Sequence, residues 1–422
     1  MSALPPIRYA EVIAVGSEML GSTRIDTNSL YVADRLSDLG IELRAKAVVG
    51  DDRGDLASIF RQSLERADLV ILTGGLGPTD DDLTREVVAE VLGRPMHQDE
   101  AIVRALHERF ARRSLQMPAT NLRQAQVPEG GRVLANPRGS APGLLLEQGG
   151  KLIALLPGPP REMRPLLDEL CEGPIGARVG RERLYRASLF VAGRGESHVE
   201  EIVQPIYSLW REQERPIATT ILAAPGQIEL HLSTRDADPA EGRARIEAAR
   251  DALAAAVGED VFSTDGRSME QVVGAMLAER GFRIAAAESC TGGLFTSRMT
   301  DVAGSSSYVY GAIVAYDNGV KIRDLGVPQS MLEEYGAVSE PVARAMLDGV
   351  FRATGVETAV AITGIAGPGG GTPEKPVGTV VIAAAVPGKP PDVRTHRFMG
   401  DRAMIKFWSA QSAMDRIRRL LK

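Results

Sequence analysis

The stretch AAAESCTGG, residues 285–293, decides how this chain is read. The run before it, 282–287, is largely small and apolar, as a central strand is, and Thr291-Gly292-Gly293 opens an amphipathic segment ending near Met299. The implied order is strand, reactive side chains, glycine turn, helix. Such a junction presents the Ser289 hydroxyl at the carboxyl edge of a sheet, beside free N–H groups of a helix start that suit an oxyanion. It is not the G-x-S-x-G elbow, because the flanking residues differ. The competing reading is that Ser289 or Thr291 only caps the helix. Cys290 is a rival nucleophile one residue away, and the period-two rule of strands predicts that Ser289 and Cys290 point opposite ways.

Downstream, 307–315 is strand-like, Tyr316-Asp317-Asn318 turns the chain, and Lys321 follows Ser289 by 32 positions. A lone lysine is ordinarily an exposed charge. To take a proton from serine, Lys321 must fall from about 10.4 to about 7, a perturbation of about 4.6 kcal/mol that burial can supply. Residues 359–363 read as a short buried strand entering GIAGPGGGTPEKPVG, which is richer in glycine and proline than a hairpin needs. That loop either envelops a nucleotide or is a surface connection. In the last helix, 403–421, Arg416, Arg418 and Arg419 suit the negative end of the helix dipole and require no nucleic-acid partner.

A chain of 422 residues exceeds one ordinary core and predicts about three domains. With 49 basic and 55 acidic residues the net charge is -6, so the chain is not built as a general phosphate-backbone binder and leaves room only for a local basic patch. No basic leader followed by an apolar run and no apolar window of about 18 residues occurs, so a soluble cytoplasmic protein without membrane contact is expected. Cys171 and Cys290 fall in different expected domains and predict no structural disulfide. The five histidines form no H-E-x-x-H or Cys/His cluster, so no zinc site is expected.

The N-terminal part alternates strands (10–15, 42–49, 69–72) with helical periodicity (27–39, 56–67), the pattern of a doubly wound α/β sheet. Its third strand enters TGGLGPTDDDLT, ahead of a helix at about 83–92. Asp80 to Asp82 suit a helix start whatever the function. Glycine amides attract phosphate while three carboxylates repel it, and a divalent cation between a diphosphate and Asp80 or Asp81 reconciles the two. The loop is neither a Walker A sequence nor a complete G-x-G-x-x-G. A helix at 100–113 follows, and LPGPPREM restarts a helix to about Cys171. After the linker-like CEGPIGARVGRER, strand signals at 184–191 and 227–234 and helical signals at 196–210 and 239–257 make a small α+β module.

Taken together, AESCTGG, AGSSSYVYGAIVAYDNGVK, GAVSEPVA, AITGIAGPGGGTPEKPVGTV and GDR, in that order over 268–421, resemble the nicotinamide-nucleotide amidase family, the C-terminal domain of CinA proteins. GSEMLGSTRIDTNS, TGGLGPTDDDLT and LPGPPREM resemble the molybdopterin-binding fold in the form found at the start of CinA. The middle segment is similar to a KH-type fold but shows no G-x-x-G clamp, which favours a spacer or dimer-forming role over RNA binding. The resemblance implies an α/β protein of three domains: 1–172 molybdopterin-binding-like, 173–260 KH-type and 261–422 amidase. It further implies a homodimer.

The same resemblance implies deamidation of nicotinamide mononucleotide to nicotinate mononucleotide and ammonia. Ser289 would be the nucleophile and Lys321 the base, with Thr363 in the catalytic set. Glu288, Thr291, Gly292, Tyr316, Asn318, Gly364, Gly367, Lys375 and Arg402 would meet the nucleotide, Lys375 or Arg402 at its phosphate, and no cofactor would be needed. At the N-terminal end it implies hydrolysis of ADP-ribose to AMP and ribose 5-phosphate. Asp26, Asn28, Gly74, Gly75, Gly77, Thr79, Pro157, Gly158 and Pro159 would contact that substrate. Asp80 and Asp81 would hold a divalent metal such as Mg2+, with K+ as a further candidate ion and Glu18 and Glu162 as further candidate ligands. The family name, from competence and damage induction, leaves a second class open: a binding partner in DNA uptake or repair with one or both active sites silent.

Overall fold

The structure is a computed structural model that describes residues 5–422. It separates into two compact units, one running through Tyr185 and including Arg235–Arg243, the other comprising Arg186–Thr234 and Ala244–Lys422. In the first, chain order is β1 (Tyr9–Val15), α1 (Asn28–Asp38), β2 (Glu42–Val49), α2 (Arg53–Arg66), β3 (Leu69–Thr73), α3 (Thr84–Leu92), β4 (Met96–Gln98), α4 (Glu100–Ala111), β5 (Gln126–Pro128), β6 (Arg132–Leu134), β7 (Gly143–Gln148), β8 (Lys151–Leu156) and α5 (Pro160–Glu172).

Strands β2, β1, β3 and β8 lie side by side in parallel, and β7 and β6 complete the six-stranded sheet antiparallel. Every residue of β3 is buried, as a strand covered on both faces must be. Successive residues of β1 feed opposite cores: Ile13 and Val15 pack with Phe60 and Val87, Ala10 and Val12 with Leu36 and Leu167. Helix starts are fixed locally by Asp52, which accepts from Asp55 N, and by Asp99, which accepts from Ala101 N and Ile102 N. The sequence reading identifies no strand between α4 and the proline turn, where four are present. GLLLEQ and KLIALL are short apolar runs that periodicity cannot assign between strand and helix, and tertiary pairing decides them.

The middle segment contributes β9 (Arg183–Val191), α6 (Glu196–Arg211), β10 (Ala218–Ala224), β11 (Gln227–Asp236), α7 (Pro239–Val257) and β12 (Val261–Ser263). Its strands form a sheet in the order β10-β11-β9-β12. Next come α8 (Met269–Arg280), β13 (Ile284–Glu288), α9 (Leu294–Thr300), β14 (Val309–Val314), α10 (Asn318–Leu325), α11 (Gln329–Tyr335), α12 (Glu340–Thr354), β15 (Thr358–Gly364), β16 (Thr379–Ala385), β17 (Asp392–Arg397) and α13 (Arg402–Leu421). The five-stranded sheet runs β14-β13-β15-β16-β17, with β14, β13 and β15 parallel and the other two antiparallel.

Both sheets have a point where the chain reverses its direction of winding. After β1 the chain goes to β2 on one side and then to β3 on the other; after β13 it goes to β14 and then to β15. Loops leaving such neighbours diverge and open a crevice at the strands' carboxyl ends. Each unit therefore has one such crevice. Among the described residues no helix is long and apolar enough to cross a membrane.

Candidate active site

The crevice of the second unit is a cavity of about 180 Å³. Ser289 and Cys290 reach it from the end of β13, Tyr316, Asn318 and Lys321 from the end of β14, and Thr363, Gly364 and Ala366 from the end of β15. Arg402 from α13 and Ala337-Val338 from the turn between α11 and α12 complete the wall. Asp317 sets α10 by accepting from Gly319 N, which places Lys321 in the first turn.

Lys321 is 1% exposed and donates to Ala315 O at 2.9 Å and Tyr316 O at 3.0 Å. It makes no ion pair with a carboxylate among the described residues. Burial pushes its pKa below the ordinary lysine value of 10.5, against weaker upward pulls from Asp317 and Cys290. A neutral amine has two N–H bonds and one lone pair, so two carbonyl partners leave the lone pair available to accept a proton.

Ser289 and Cys290 line the same cavity, contrary to the alternation expected of a strand. The strand ends at Glu288, so period two no longer applies to the two residues that follow it. Burial, reinforced by Glu288, pushes the Cys290 thiol up to about 12.

Glu288, expected at the substrate, is fully buried. Its carboxylate accepts from Gly293 N (3.0 Å), Phe295 N (3.1 Å), Thr296 N (2.9 Å) and Thr296 Oγ1 (2.7 Å), closing the start of α9. The helix-start amides expected to face an oxyanion are those that Glu288 consumes. Thr291 is also fully buried with its Oγ1 unpartnered, and neither it nor Gly292 is in the wall. Thr363 is in the wall, but its hydroxyl donates to Ala337 O at 2.9 Å and has only acceptor capacity left for a carboxamide.

The glycine-rich loop supplies Gly364 and Ala366 alone to the wall. Gly367 O accepts from Arg402 Nη1 at 2.7 Å, and Arg402 Nη2 lies 3.1 Å from Tyr316 Oη. Lys375 is turned away, donating to Tyr335 O at 2.7 Å. A cation outside the expected set lies beside the turn into α9: Lys406 Nζ is 3.7 Å from where a Cβ on Gly292 would sit, is not among the residues lining the cavity, and makes no hydrogen bond or ion pair among the described residues. Its spacing of four from Arg402 on one helix face was available in the sequence as a signal.

The first unit's crevice is larger, about 640 Å³, and is bordered by Glu18 after β1, Asp51 after β2, Gly74 to Gly77 after β3, and Pro157 to Pro160 with Glu162 after β8. Asn28 donates to Gly158 O at 2.7 Å, while its Oδ1 is buried in the wall without a partner. Three expected contacts fall outside the wall. Asp26 accepts from Ser29 N at 3.0 Å and from Ser29 Oγ. Thr79 gives its N–H and hydroxyl to Asp82 Oδ2 at 2.9 and 2.5 Å. Asp80 pairs with Arg123 at 2.9 Å, and Arg123 also holds Thr79 O and Glu86.

The expected metal pair is thereby divided, with Asp81 and Asp82, not Asp80, on the wall. No group of three or more His, Cys, Asp or Glu among the described residues stands ready to hold an ion. Small divalent cations need only one or two carboxylates when phosphate oxygens complete the shell. Asp81, Asp82 and the unfilled Asn28 oxygen are hard donors of that kind and fit a cation shared with a diphosphate.

Residues 266–421 match the family described as CinA C-terminal domain, and residues 11–176 the family described as probable molybdopterin binding domain. A CinA-like protein of Koribacter versatilis is 44% identical over 98% of this chain and 99% of its own. A putative competence-damage inducible protein of Symbiobacterium thermophilum is 43% identical over 98% of each. The crystal structure of competence/damage inducible protein CihA from Agrobacterium tumefaciens is 35% identical, with a TM-score of 0.36, over 36% of this chain and 94% of that one.

Proposed function

Because the chain belongs to the CinA family, we propose that it recycles pyridine nucleotides, deamidating nicotinamide mononucleotide at the second unit's cavity and hydrolysing ADP-ribose at the first unit's. The observation that carries the amidase reading is a buried lysine without a carboxylate partner in the wall that also holds Ser289. Lys321 takes the Ser289 proton, and Oγ attacks the carboxamide carbon. The resulting ammonium of Lys321 returns a proton to the nitrogen, ammonia leaves, and water hydrolyses the acyl-enzyme by the same proton path. Thr363, able only to accept, orients the carboxamide N–H. Ammonia release from nicotinamide mononucleotide by the purified chain, with nicotinate mononucleotide as co-product, tests this directly. No release, with affinity for a recombination protein, would favour the binding-partner class instead.

The pH profile should carry the signature of Lys321. Turnover over substrate concentration should rise with pH through the lowered lysine pKa and level before 10.5, since only the neutral amine is a base. Stability follows the same sign. In the window between the lowered value and the unfolded one, the unfolded chain binds more protons, so this group's contribution rises with pH there and is lost on acidification through the folded value.

For the substrate's phosphate, Arg402 is the one of the two expected cations that stands in the wall, and Lys406, one helical turn further along α13 beside Gly292, is the second cation assigned to it in place of Lys375. Lys406→Gln should raise KM for the mononucleotide about tenfold, the worth of one charge-assisted hydrogen bond, with little change in kcat. Hydrolysis of nicotinamide riboside, which lacks the phosphate, should be unaffected.

At the first site, a divalent cation bound with the substrate would offset the diphosphate's charge against Asp81 and Asp82. The chain's own share is to bind the phosphates through loop amides, with Asn28 Oδ1 beside Asp81 and Asp82 as a further oxygen donor to the cation. AMP and ribose 5-phosphate appearing from ADP-ribose would be the corresponding products to assay.

A further inference from the structure

The loop joining β3 to α3 has an unusual hydrogen-bond pattern. Four consecutive carbonyls are held by just two residues: Gly74 O by Thr84 Oγ1 (2.8 Å), Gly75 O by Thr84 N (3.1 Å), Leu76 O by Arg85 Nη1 (2.7 Å) and Gly77 O by Arg85 Nη2 (3.0 Å). In an extended chain successive carbonyls alternate sides, so four converging on one dipeptide require a coiled backbone. Positive φ at Gly74 (100°) and Gly75 (64°) provides it.

The amides tell the complementary story. Gly74 N donates to Leu156 O, whereas the N–H groups of Gly75, Leu76 and Gly77 have no acceptor among the described residues. Unpaired amides next to a polar crevice are an invitation to a ligand oxygen, because backbone donors are rarely left unsatisfied. All three residues line the first unit's cavity. Consecutive free amides with their carbonyls turned away form a concavity for an anion.

Arg85 is 1% exposed, forms no ion pair among the described residues, and its Nε has no partner. A buried guanidinium whose nearest carboxylates, Asp82 and Glu86, act only through space without an ion-pair contact is costly to fold. A merely structural tie could be made by a neutral donor. The geometry points to Arg85 as a positioning residue for anion binding: its fork draws the Leu76 and Gly77 carbonyls inward, leaves the Gly75 to Gly77 amides facing the cavity, and sets a positive charge behind them. This rests on the reading of the crevice as a diphosphate site.

The test uses the full chain with Mg2+ and inorganic pyrophosphate, and with Mg2+ and ADP-ribose, read by calorimetry and by amide hydrogen exchange. In the wild type the amides at 75–77 should exchange freely alone and at least tenfold more slowly with saturating pyrophosphate. Arg85→Lys keeps a charge but loses the two-carbonyl fork, and should weaken both ligands at least tenfold. Arg85→Met should weaken them further. Ammonia release at the other unit and the melting temperature report whether each variant is folded. Affinity for both ligands unchanged in Arg85→Lys would overturn the proposal, as would wild-type protection that appears elsewhere and spares 75–77. If Arg85→Met fails to fold, the lysine variant and the wild-type exchange still decide. If the wild type binds neither ligand, the diphosphate reading itself falls.

Discussion

Lys321→Met is expected to abolish deamidation, lowering turnover by about 10³-fold, the scale on which a general base contributes, while the chain stays folded. The substitution keeps an unbranched side chain of similar length in a site that is 1% exposed. It strips Ala315 O and Tyr316 O of their donor, which costs about 1–3 kcal/mol for each carbonyl left dry. Relief of the burial that depresses the lysine offsets part of that, so the melting temperature should fall only modestly. Lys321→Arg sharpens the result, because it retains a cation and donors but cannot lose its proton. If the amine acts as base, the arginine variant is as inactive as the methionine one; if it acts only as a positive charge, arginine preserves turnover. Initial rates of ammonia release, beside thermal melts, separate these outcomes, and normal turnover in Lys321→Met removes the residue from the mechanism.

Ser289→Ala should be equally damaging and Cys290→Ala nearly silent. Both residues line the cavity, so position does not choose between them; ionisation does. A thiol pushed up to about 12 leaves about one thiolate in 10⁵ near pH 7, which removes the advantage sulfur ordinarily has. A serine needs no standing anion, only a base at the moment of attack. Cys290 is 5% exposed and packed in the core that includes Phe295 and Ile362, so its loss should cost about 1 kcal/mol of stability while turnover stays within a fewfold of wild type. The thiol should also resist alkylation until the chain unfolds. Turnover lost in Cys290→Ala but kept in Ser289→Ala would reverse the assignment.

What could be read from the chain alone is what short-range pattern encodes. Four apolar residues and a glutamate running into a serine, a cysteine, a threonine and two glycines are a strand meeting a helix start, because burial on both faces and positive φ are local demands. Alternating strand and helix signals before residue 172 likewise dictated a doubly wound sheet. Spacing also brought Lys321 to the same sheet edge as Ser289, since one helix, one returning parallel strand and one turn span the interval.

Which atoms remain free for a ligand was decided only in three dimensions. Glu288 carries the chemistry of a site residue, yet four donors from the next helix occupy it. Asp80 and Asp82 are interchangeable in composition, and Arg123, 43 positions from Asp80, draws one out of the wall. Lys375 lies in the expected loop and is claimed by a carbonyl of Tyr335, while Lys406, far along the chain, is left unclaimed. Hydrogen-bonding capacity is finite and is exhausted by whichever partner the fold brings within about 3 Å. Residue type and spacing therefore determine where a site forms, and competition among distant donors and acceptors determines which side chains in it are still able to react.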